Sequence, residues 1–303
     1  MLNLKTLCLC LLIQNIQCCT QSTFEATRIT ALKNINFRDE ITDYNYFIKA
    51  PRNDFQEVVA IQIRGEQVPI IYENAVQNLP FLHSLHIELS NVAIIKPRAF
   101  QNLPSLTILK IEDNNLEVIQ PQVFNDLLVK KLILTYNRIT YIVSNAFDNM
   151  PLLESIRLDH NRLAAWTPEW FQNCPNMNLI SVKFNQLTSI PQNAFQNVNE
   201  HLERLYIGHN KLKEVNLEAF RGLNSLTDLG LDHNSISKIE NDTFSHLKKL
   251  RVIDLSGTDI TCFSEEFLNT LRNDVLLWID STGFNETCKT LFNEWINNRQ
   301  SNN

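Results

Sequence analysis

The segment "LTILKIEDNNLEVIQPQVFNDL", residues 106–127, shows the spacing of apolar residues that decides the fold. It fits the pattern L-x-x-L-x-L-x-x-N-x-L-x-x-I-x-x-x-x-F-x-x-L, which recurs in phase from Val58 to about Leu271, nine times. A fixed period of about 24 residues indicates a repeat architecture, in which each unit buries its apolar face only by stacking on its neighbours.

Polar and aromatic positions of the repeat are equally regular. The ninth position is asparagine in six consecutive repeats: Asn114, Asn137, Asn161, Asn185, Asn210 and Asn234. A carboxamide both donates and accepts hydrogen bonds, so each asparagine can pair backbone groups that would otherwise be buried unsatisfied. These residues predict an asparagine ladder. The nineteenth position is phenylalanine from Phe100 to Phe244, and Cys174 takes the place of the final leucine of its repeat, which predicts a buried thiol.

The secondary structure follows from the same pattern. Positions four and six alternate with polar neighbours, which predicts a short strand with one buried face in every repeat and a parallel sheet when the repeats stack. Proline recurs in the segments that follow, in "IKPRAF", "WTPEWF" and "IPQNAF". Proline cannot donate a hydrogen bond, so these segments predict an irregular or short 3₁₀ wall.

These residues resemble the leucine-rich repeat in its extracellular form, and the resemblance covers roughly 70% of the chain. It implies an α/β solenoid: a horseshoe of about nine 24-residue repeats, with a parallel concave sheet, an irregular or 3₁₀ convex side and capped ends. We expect a signal peptide at 1–19, an N-terminal cap at 20–57, repeats at 58–273, and a C-terminal cap and tail at 274–303.

The first residues fit a secretory signal. Lys5 precedes an apolar stretch from Leu7 to Ile13, and small residues follow at Cys18 and Cys19. A buried N-terminal helix is the alternative. The rest of the chain has no apolar run long enough to span a membrane, so we expect a secreted, extracellular protein without a membrane span.

Cysteine and glycosylation signals agree with secretion. Cys262 and Cys288 flank the segment that ends the repeats, and we predict that they are bonded. Asn241 in "NDT" and Asn285 in "NET" are candidate glycosylation acceptors. The net charge of -6 and the scattered Lys and Arg residues contain no basic stripe, so we expect no nucleic-acid partner.

Three histidines raise the question of a metal site. His160, His209 and His233 all occupy position eight, where two other repeats carry Tyr136 and Phe184. Three hypotheses stay open: a metal site formed by His209, His233 and Asp232, simple edge-to-edge packing of flat rings, or a contact stripe for a ligand. A metal needs three or four convergent ligands, so we expect no metal and no cofactor.

The outward strand positions predict a ligand-binding concave face. The candidate residues are Tyr136, Arg157, Asp159, His160, Lys183, Phe184, Tyr206, His209, Asp232 and His233. A mixed-charge surface with interleaved aromatic rings suits a protein ligand better than a lipid. We find no catalytic motif, so we expect that the protein is not an enzyme.

The repeats also resemble the secreted leucine-rich immune proteins of insects and the ectodomains of Toll-like receptors. That resemblance implies a role in extracellular innate immunity, with an extracellular protein or a glycan-bearing ligand as partner. The flanking cysteine clusters common in secreted relatives are missing here, since two cysteines follow the repeats. The alternative is an extracellular matrix or adhesion component, or an inhibitor of another extracellular protein.

Overall fold

The computed structural model describes residues 29–35, 38–44 and 57–300. The predicted signal peptide and most of the predicted N-terminal cap lie outside these residues. The described residues form a solenoid of about nine turns around one sheet of twelve strands. In spatial order the strands are β2 (Arg38–Tyr44), β1 (Ile29–Ile35), β3 (Val58–Arg64), β6 (Ser84–Glu88), β9 (Ile108–Glu112), β11 (Lys131–Ile133), β14 (Ser155–Arg157), β16 (Leu179–Ser181), β17 (Arg204–Tyr206), β18 (Asp228–Gly230), β19 (Val252–Asp254) and β20 (Leu276–Trp278).

The sheet is parallel except at its N-terminal edge. Every pairing from β3 to β20 is parallel and joins equivalent positions of neighbouring repeats, for example Leu205 with Leu229. At the N-terminal edge, β1 pairs antiparallel with both β2 and β3. At the other end, β20 extends the sheet one strand past residue 273, the predicted end of the repeats.

The opposite wall of the solenoid consists of turns, two-residue strands and short helices. The short strands are β4 (Ile70–Ile71), β5 (Val76–Gln77), β7 (Ile94–Ile95), β8 (Phe100–Gln101), β10 (Val118–Ile119), β12 (Tyr141–Ile142), β13 (Phe147–Asp148) and β15 (Phe171–Gln172). Single-turn 3₁₀ helices span Pro168–Trp170, Leu217–Ala219 and Ser281–Gly283. The irregular, partly 3₁₀ convex side expected from the proline-containing segments is therefore present.

A spine of phenylalanine rings fills the convex half of the core. Phe100 and Phe124 stack with centroids 6.2 Å apart, and Phe124 and Phe147 with centroids 6.0 Å apart. The Trp166 ring lies between Phe171 and Phe195, 4.8 Å from the latter, and its Nε1 donates to the carbonyl of Ala194. The spine therefore runs through successive repeats with a tryptophan inserted at one step.

The position-nine asparagines tie each repeat to the one before it. Asn185 Oδ1 accepts from the backbone N of Leu163 at 2.9 Å, and its Nδ2 donates to the carbonyl of Leu158 at 2.9 Å. Each of the six asparagines accepts from a backbone N–H and donates to a carbonyl of the preceding repeat. These asparagine side chains satisfy backbone N–H and carbonyl groups that have no backbone partner where the chain turns.

A helical cap closes the C-terminal end. The helices α1 (Glu265–Thr270) and α2 (Glu286–Gln300) pack around the rings of Phe263 and Phe292. A disulfide joins Cys262 and Cys288, as the sequence predicted. Among the described residues, no helix is long and apolar enough to cross a lipid bilayer.

Candidate ligand-binding face

The concave surface of the sheet collects the residues that the sequence proposed for ligand binding. Strand positions three, five and seven face this surface because positions four and six are buried in the core. One row across the strands reads Lys110, Ile133, Arg157, Ser181 and Tyr206. The predicted residues thus form one continuous area across five consecutive repeats.

Five planar side chains at position eight stack into a continuous column, which we call the ring column: Tyr136, His160, Phe184, His209 and His233. Successive ring centroids are 4.1, 4.1, 3.9 and 4.1 Å apart. The interplanar angles lie between 9° and 15°. Because the faces of neighbouring rings pack against each other, the column exposes mainly ring edges to solvent.

A left-handed backbone conformation at position eight creates the column. The φ angle is 53° at Tyr136, 56° at Phe184 and 51° at His233. This region is uncommon for residues other than glycine. The first and last repeats carry glycine there, Gly65 with φ 72° and Gly257 with φ 66°, whereas the two repeats before Tyr136 carry Leu89 and Asp113, both with φ 51°. Because the same strained conformation recurs in each repeat, neighbouring rings leave the backbone in the same direction and stack.

A buried carboxylate supports the C-terminal end of the column. Asp232 is only 5% exposed. Its Oδ2 lies 3.3 Å from Lys183 Nζ, 3.4 Å from His209 Nε2 and 3.5 Å from His233 Nδ1. Burying a carboxylate is unfavourable unless polar or charged groups surround it. Asp232 therefore links three neighbouring repeats through the side chains of Lys183, His209 and His233.

The surroundings of His209 favour its neutral form. Burial lowers the pKa of the imidazole below its usual value, and the neighbouring His233 and Lys183 lower it further. Asp232 opposes this shift by attracting the protonated ring, but its contribution is smaller than that of burial. The imidazole at the centre of this charge cluster thus resists protonation.

The metal hypothesis meets a geometric obstacle. One nitrogen from each of His209 and His233 and one oxygen of Asp232 lie within 4.8 Å of one another. However, the two imidazole planes are 9° from parallel and stacked at 4.1 Å. Each nitrogen lone pair lies in its own ring plane, so stacked rings cannot both direct a lone pair at one ion about 2.0–2.1 Å away. The geometry favours packing and ligand contact over metal binding.

Beside the ring column lies an open depression of about 700 Å³, which we call the central hollow. Its cationic side chains are Lys131, Arg157, Lys183 and Arg204, and its carboxylates are Glu112, Glu154 and Asp159. The rings of Tyr136, His160 and Phe184 form one wall. Aromatic edges and charged groups therefore face the same space.

The carboxylates of the central hollow already have partners. Asp159 accepts hydrogen bonds from the Ser181 hydroxyl and from the backbone N of Lys183 at 2.8 Å. Glu154 pairs with Lys130 at 3.0 Å. Glu112 accepts from the Thr135 hydroxyl and pairs with Lys110. The acids in the hollow are thus committed to the fold.

Two cationic residues of the hollow were missing from the predicted site. Lys131 and Arg204 both occupy strand position three, in register with each other across β11, β14, β16 and β17. Reading position three of every repeat would have found Lys131. The close approach of Asp232 to the glycine at 208 was also missed, because it depends on the conformation of the following repeat.

The candidate glycosylation acceptors lie near the C-terminal cap. Asn285 is exposed, and its Oδ1 accepts from the backbone N of Cys288 at 2.9 Å. Asn241 is half-buried, and its Nδ2 donates to Glu266. A glycan attaches to the amide nitrogen, so modification of Asn241 removes one of the two N–H groups on the atom that donates to Glu266, whereas modification of Asn285 leaves its accepting oxygen in place. Both remain predictions.

Comparisons with known proteins agree on the repeat. A family model described as leucine rich repeat matches 175–236, 200–260 and 225–273. A second, described as BspA type leucine rich repeat region, matches 69–201. Toll-like receptor 5 of Homo sapiens is 33% identical over 90 residues, 26% of this chain and 10% of the receptor. The chain thus spans a small part of that relative.

Solved structures show the same solenoid. The Toll–Spatzle complex from Drosophila superposes with a TM-score of 0.65 and 23% identity, over 71% of this chain and 31% of the solved one. The TLR13–ssRNA13 complex gives a TM-score of 0.62 and 22% identity, over 71% and 32%. Since one of these neighbours is solved with RNA, the fold does not support the expectation that nucleic acid is excluded. That expectation rests on charge alone.

The fold, the family models and the relatives all indicate a leucine-rich repeat protein. The proteins that share these repeats and this fold are non-enzymatic binding proteins. The chain belongs to the leucine-rich repeat family, and its repeats resemble those of Toll-like receptor ectodomains.

Proposed function

We propose that this protein is secreted and recognises a protein or microbial surface ligand through its concave face, in extracellular innate immunity. The observation that carries the proposal is the ring column. Phe184 is 41% exposed and Tyr136 is 52% exposed, although both belong to an ordered stack beside an open hollow. Exposed, rigid aromatic side chains are enriched at protein interfaces because they bury a large area at little conformational cost.

Two further observations support the proposal. The relatives are receptors of the Toll class, one of them solved in complex with Spatzle. The extended concave surface is also the part of a solenoid that reaches several repeats at once, which suits a large ligand. Secretion rests on the sequence of residues 1–19 and on the disulfide between Cys262 and Cys288.

The test is a capture experiment. The chain from residue 20 is expressed in a secreting host, immobilised, and incubated with extracellular fluid of the source organism. Retained proteins are identified by mass spectrometry. We expect a stoichiometric partner such as a protease, a complement-like protein or a second repeat protein. Retention of matrix components alone favours the matrix or adhesion function.

A matched pair of variants locates the contact. Tyr136→Ala removes an exposed ring from the column, whereas Tyr141→Ala removes a ring of similar exposure, 57%, from β12 on the other wall of the solenoid. We expect Tyr136→Ala to lose the partner and Tyr141→Ala to keep it. Equal retention by both variants would show that the partner binds elsewhere.

A further inference from the structure

Charge pairing is uneven along the concave face. Towards the N-terminal end, the cations are matched with acids: Arg64 lies 2.8 Å from Glu88, and Lys110 lies 3.4 Å from the same carboxylate. In the central hollow, Arg157 and Lys131 have neither an ion-pair partner nor a side-chain hydrogen bond among the described residues. Cations without a charged partner are therefore found in the central hollow.

The second arginine of the hollow is only partly satisfied. Arg204 Nη2 donates to Asn178 Oδ1 at 3.3 Å, but its Nε is buried without a hydrogen-bond partner. A buried guanidinium N–H without an acceptor is unfavourable. Arg204 also lines the central hollow, where a ligand can supply a further acceptor to its guanidinium group.

Both arginines lie near Tyr206. Arg204 is two residues before Tyr206 on β17, so both side chains project from the concave face. Arg157 is in the same row as Tyr206, two strands away. Their backbones are therefore about 10 Å apart across the strands, at 4.7–4.9 Å per strand. Burial and then Asp228 raise the pKa of the Tyr206 hydroxyl, and the guanidinium groups of Arg204 and Arg157 lower it by less.

The open space beside these arginines is the central hollow. Arg157 and Arg204 both line it, together with Ser155 and Leu179. Ser181 stands between Arg157 and Tyr206 in the row, but its hydroxyl donates to Asp159 and the residue is only 4% exposed, so neighbouring side chains cover it. The space open to a ligand is therefore bordered by two guanidinium groups, both of which donate hydrogen bonds to an oxyanion.

We propose that the central hollow binds a carboxylate of an acidic, extended segment of a protein ligand, with Arg157 and Arg204 as its ion-pair partners. The inference rests on the proposed function, because it names the chemistry that the same face recognises. The neighbouring ring column contacts the apolar side chains that flank the carboxylate in the ligand.

The surrounding acids favour a peptide over a polyanion. Glu112, Glu154 and Asp159 line the hollow, and Asp228 lies beside Tyr206. A nucleic acid or polysulfated glycan needs several cations in succession along its backbone, and the hollow has three carboxylates, Glu112, Glu154 and Asp159, among its four cations. A single acidic residue between apolar neighbours avoids that repulsion.

The test selects linear peptides from a displayed library on the intact secreted chain, with counter-selection on the Arg157→Gln/Arg204→Gln double variant. We expect enriched sequences with Asp or Glu next to an apolar residue. A synthetic peptide of the leading sequence should bind at least about tenfold more tightly than its Asn or Gln counterpart in fluorescence anisotropy.

Single variants assign the contacts. Arg157→Gln and Arg204→Gln should each weaken the acidic peptide about tenfold and leave its amide counterpart unchanged. Arg162→Gln, which removes an exposed arginine outside the hollow, is the control and should change neither affinity. Thermal unfolding of each variant verifies that the fold is kept.

Three outcomes overturn the inference. The first is a selection that yields no acidic consensus. The second is an affinity that neither arginine variant changes. The third is a single-stranded RNA of equal charge that binds more tightly than the peptide and depends on the same arginines. If Phe184→Ala weakens the peptide while the arginine variants do not, concave binding stands and the carboxylate site fails. If none of these variants matters, both proposals fail.

Discussion

The carboxylate of Asp232 lies across the backbone of Gly208, in the space where the side chain of any other residue would begin. The two residues occupy the seventh position of neighbouring repeats. The missing side chain allows Asp232 to turn inward and reach Lys183 and His209 at 3.3 and 3.4 Å. Gly208 thus leaves the space that the Asp232 carboxylate occupies beside the ring column.

Gly208→Ala should displace Asp232 and lower the free energy of unfolding by about 1–3 kcal/mol, because the displaced carboxylate loses hydrogen-bonded charge partners. Chemical denaturation of the secreted chain measures the change. Gly283→Ala is the matched control, since nothing lies within 4 Å of the added methyl group there. Equal stability of the two variants would show that Asp232 does not depend on the glycine.

Side chains whose roles follow from the local repeat could be predicted, and those that depend on unusual backbone or on the next repeat could not. Asn185 is a rung because its position turns the backbone inward in every repeat. By contrast, the tight stacking of His160 on Phe184 depends on positive φ values that are rare for such residues. Gly65 and Gly257 at the same position were the available signal. The packing of Trp166 within the phenylalanine spine could not be predicted either, because the repeat pattern does not specify an aromatic residue at its position.

The adjacent residues Asn185 and Phe184 should separate stability from binding. Asn185 is 7% exposed and satisfies backbone groups of the preceding repeat. Asn185→Ala should therefore cost about 1–3 kcal/mol of unfolding free energy, the penalty for buried groups without partners. Phe184→Ala removes a 41% exposed ring and should spare most of the stability while weakening ligand binding. If Phe184→Ala unfolds the protein, the column is structural and the contact-stripe hypothesis is wrong.

Stability should fall in mild acid through His209. Its pKa is lowered in the folded state, chiefly by burial, so the unfolded chain takes up a proton more readily than the folded one. The contribution is fully present above the ordinary histidine pKa of about 6.5 and is lost as the pH falls from there to the folded value. Denaturation midpoints between about pH 5 and pH 8 measure this loss.

His209→Phe keeps a flat ring in the column and removes the titrating group, so its pH profile should be flatter than that of the wild type over the same interval. A variant with an unchanged slope would show that other groups control the acid sensitivity. His86 contributes in the same direction, since burial and then Lys110 lower its pKa, and the double variant with His86→Phe should flatten the profile further.

Cys174 should be inert in the folded protein. Burial raises the pKa of its thiol to about 11, and the sulfur donates to the carbonyl oxygens of Phe147 and Gln172 at 3.0 and 3.2 Å. The reactive species is the thiolate, which is scarce near neutral pH when the pKa is that high. Brief treatment with iodoacetamide, followed by peptide mass spectrometry, should leave Cys174 unmodified in buffer and modify it fully in denaturant. Modification of the native chain would mean that the repeat around Cys174 opens locally, and the solenoid would then be less rigid there than its packing indicates.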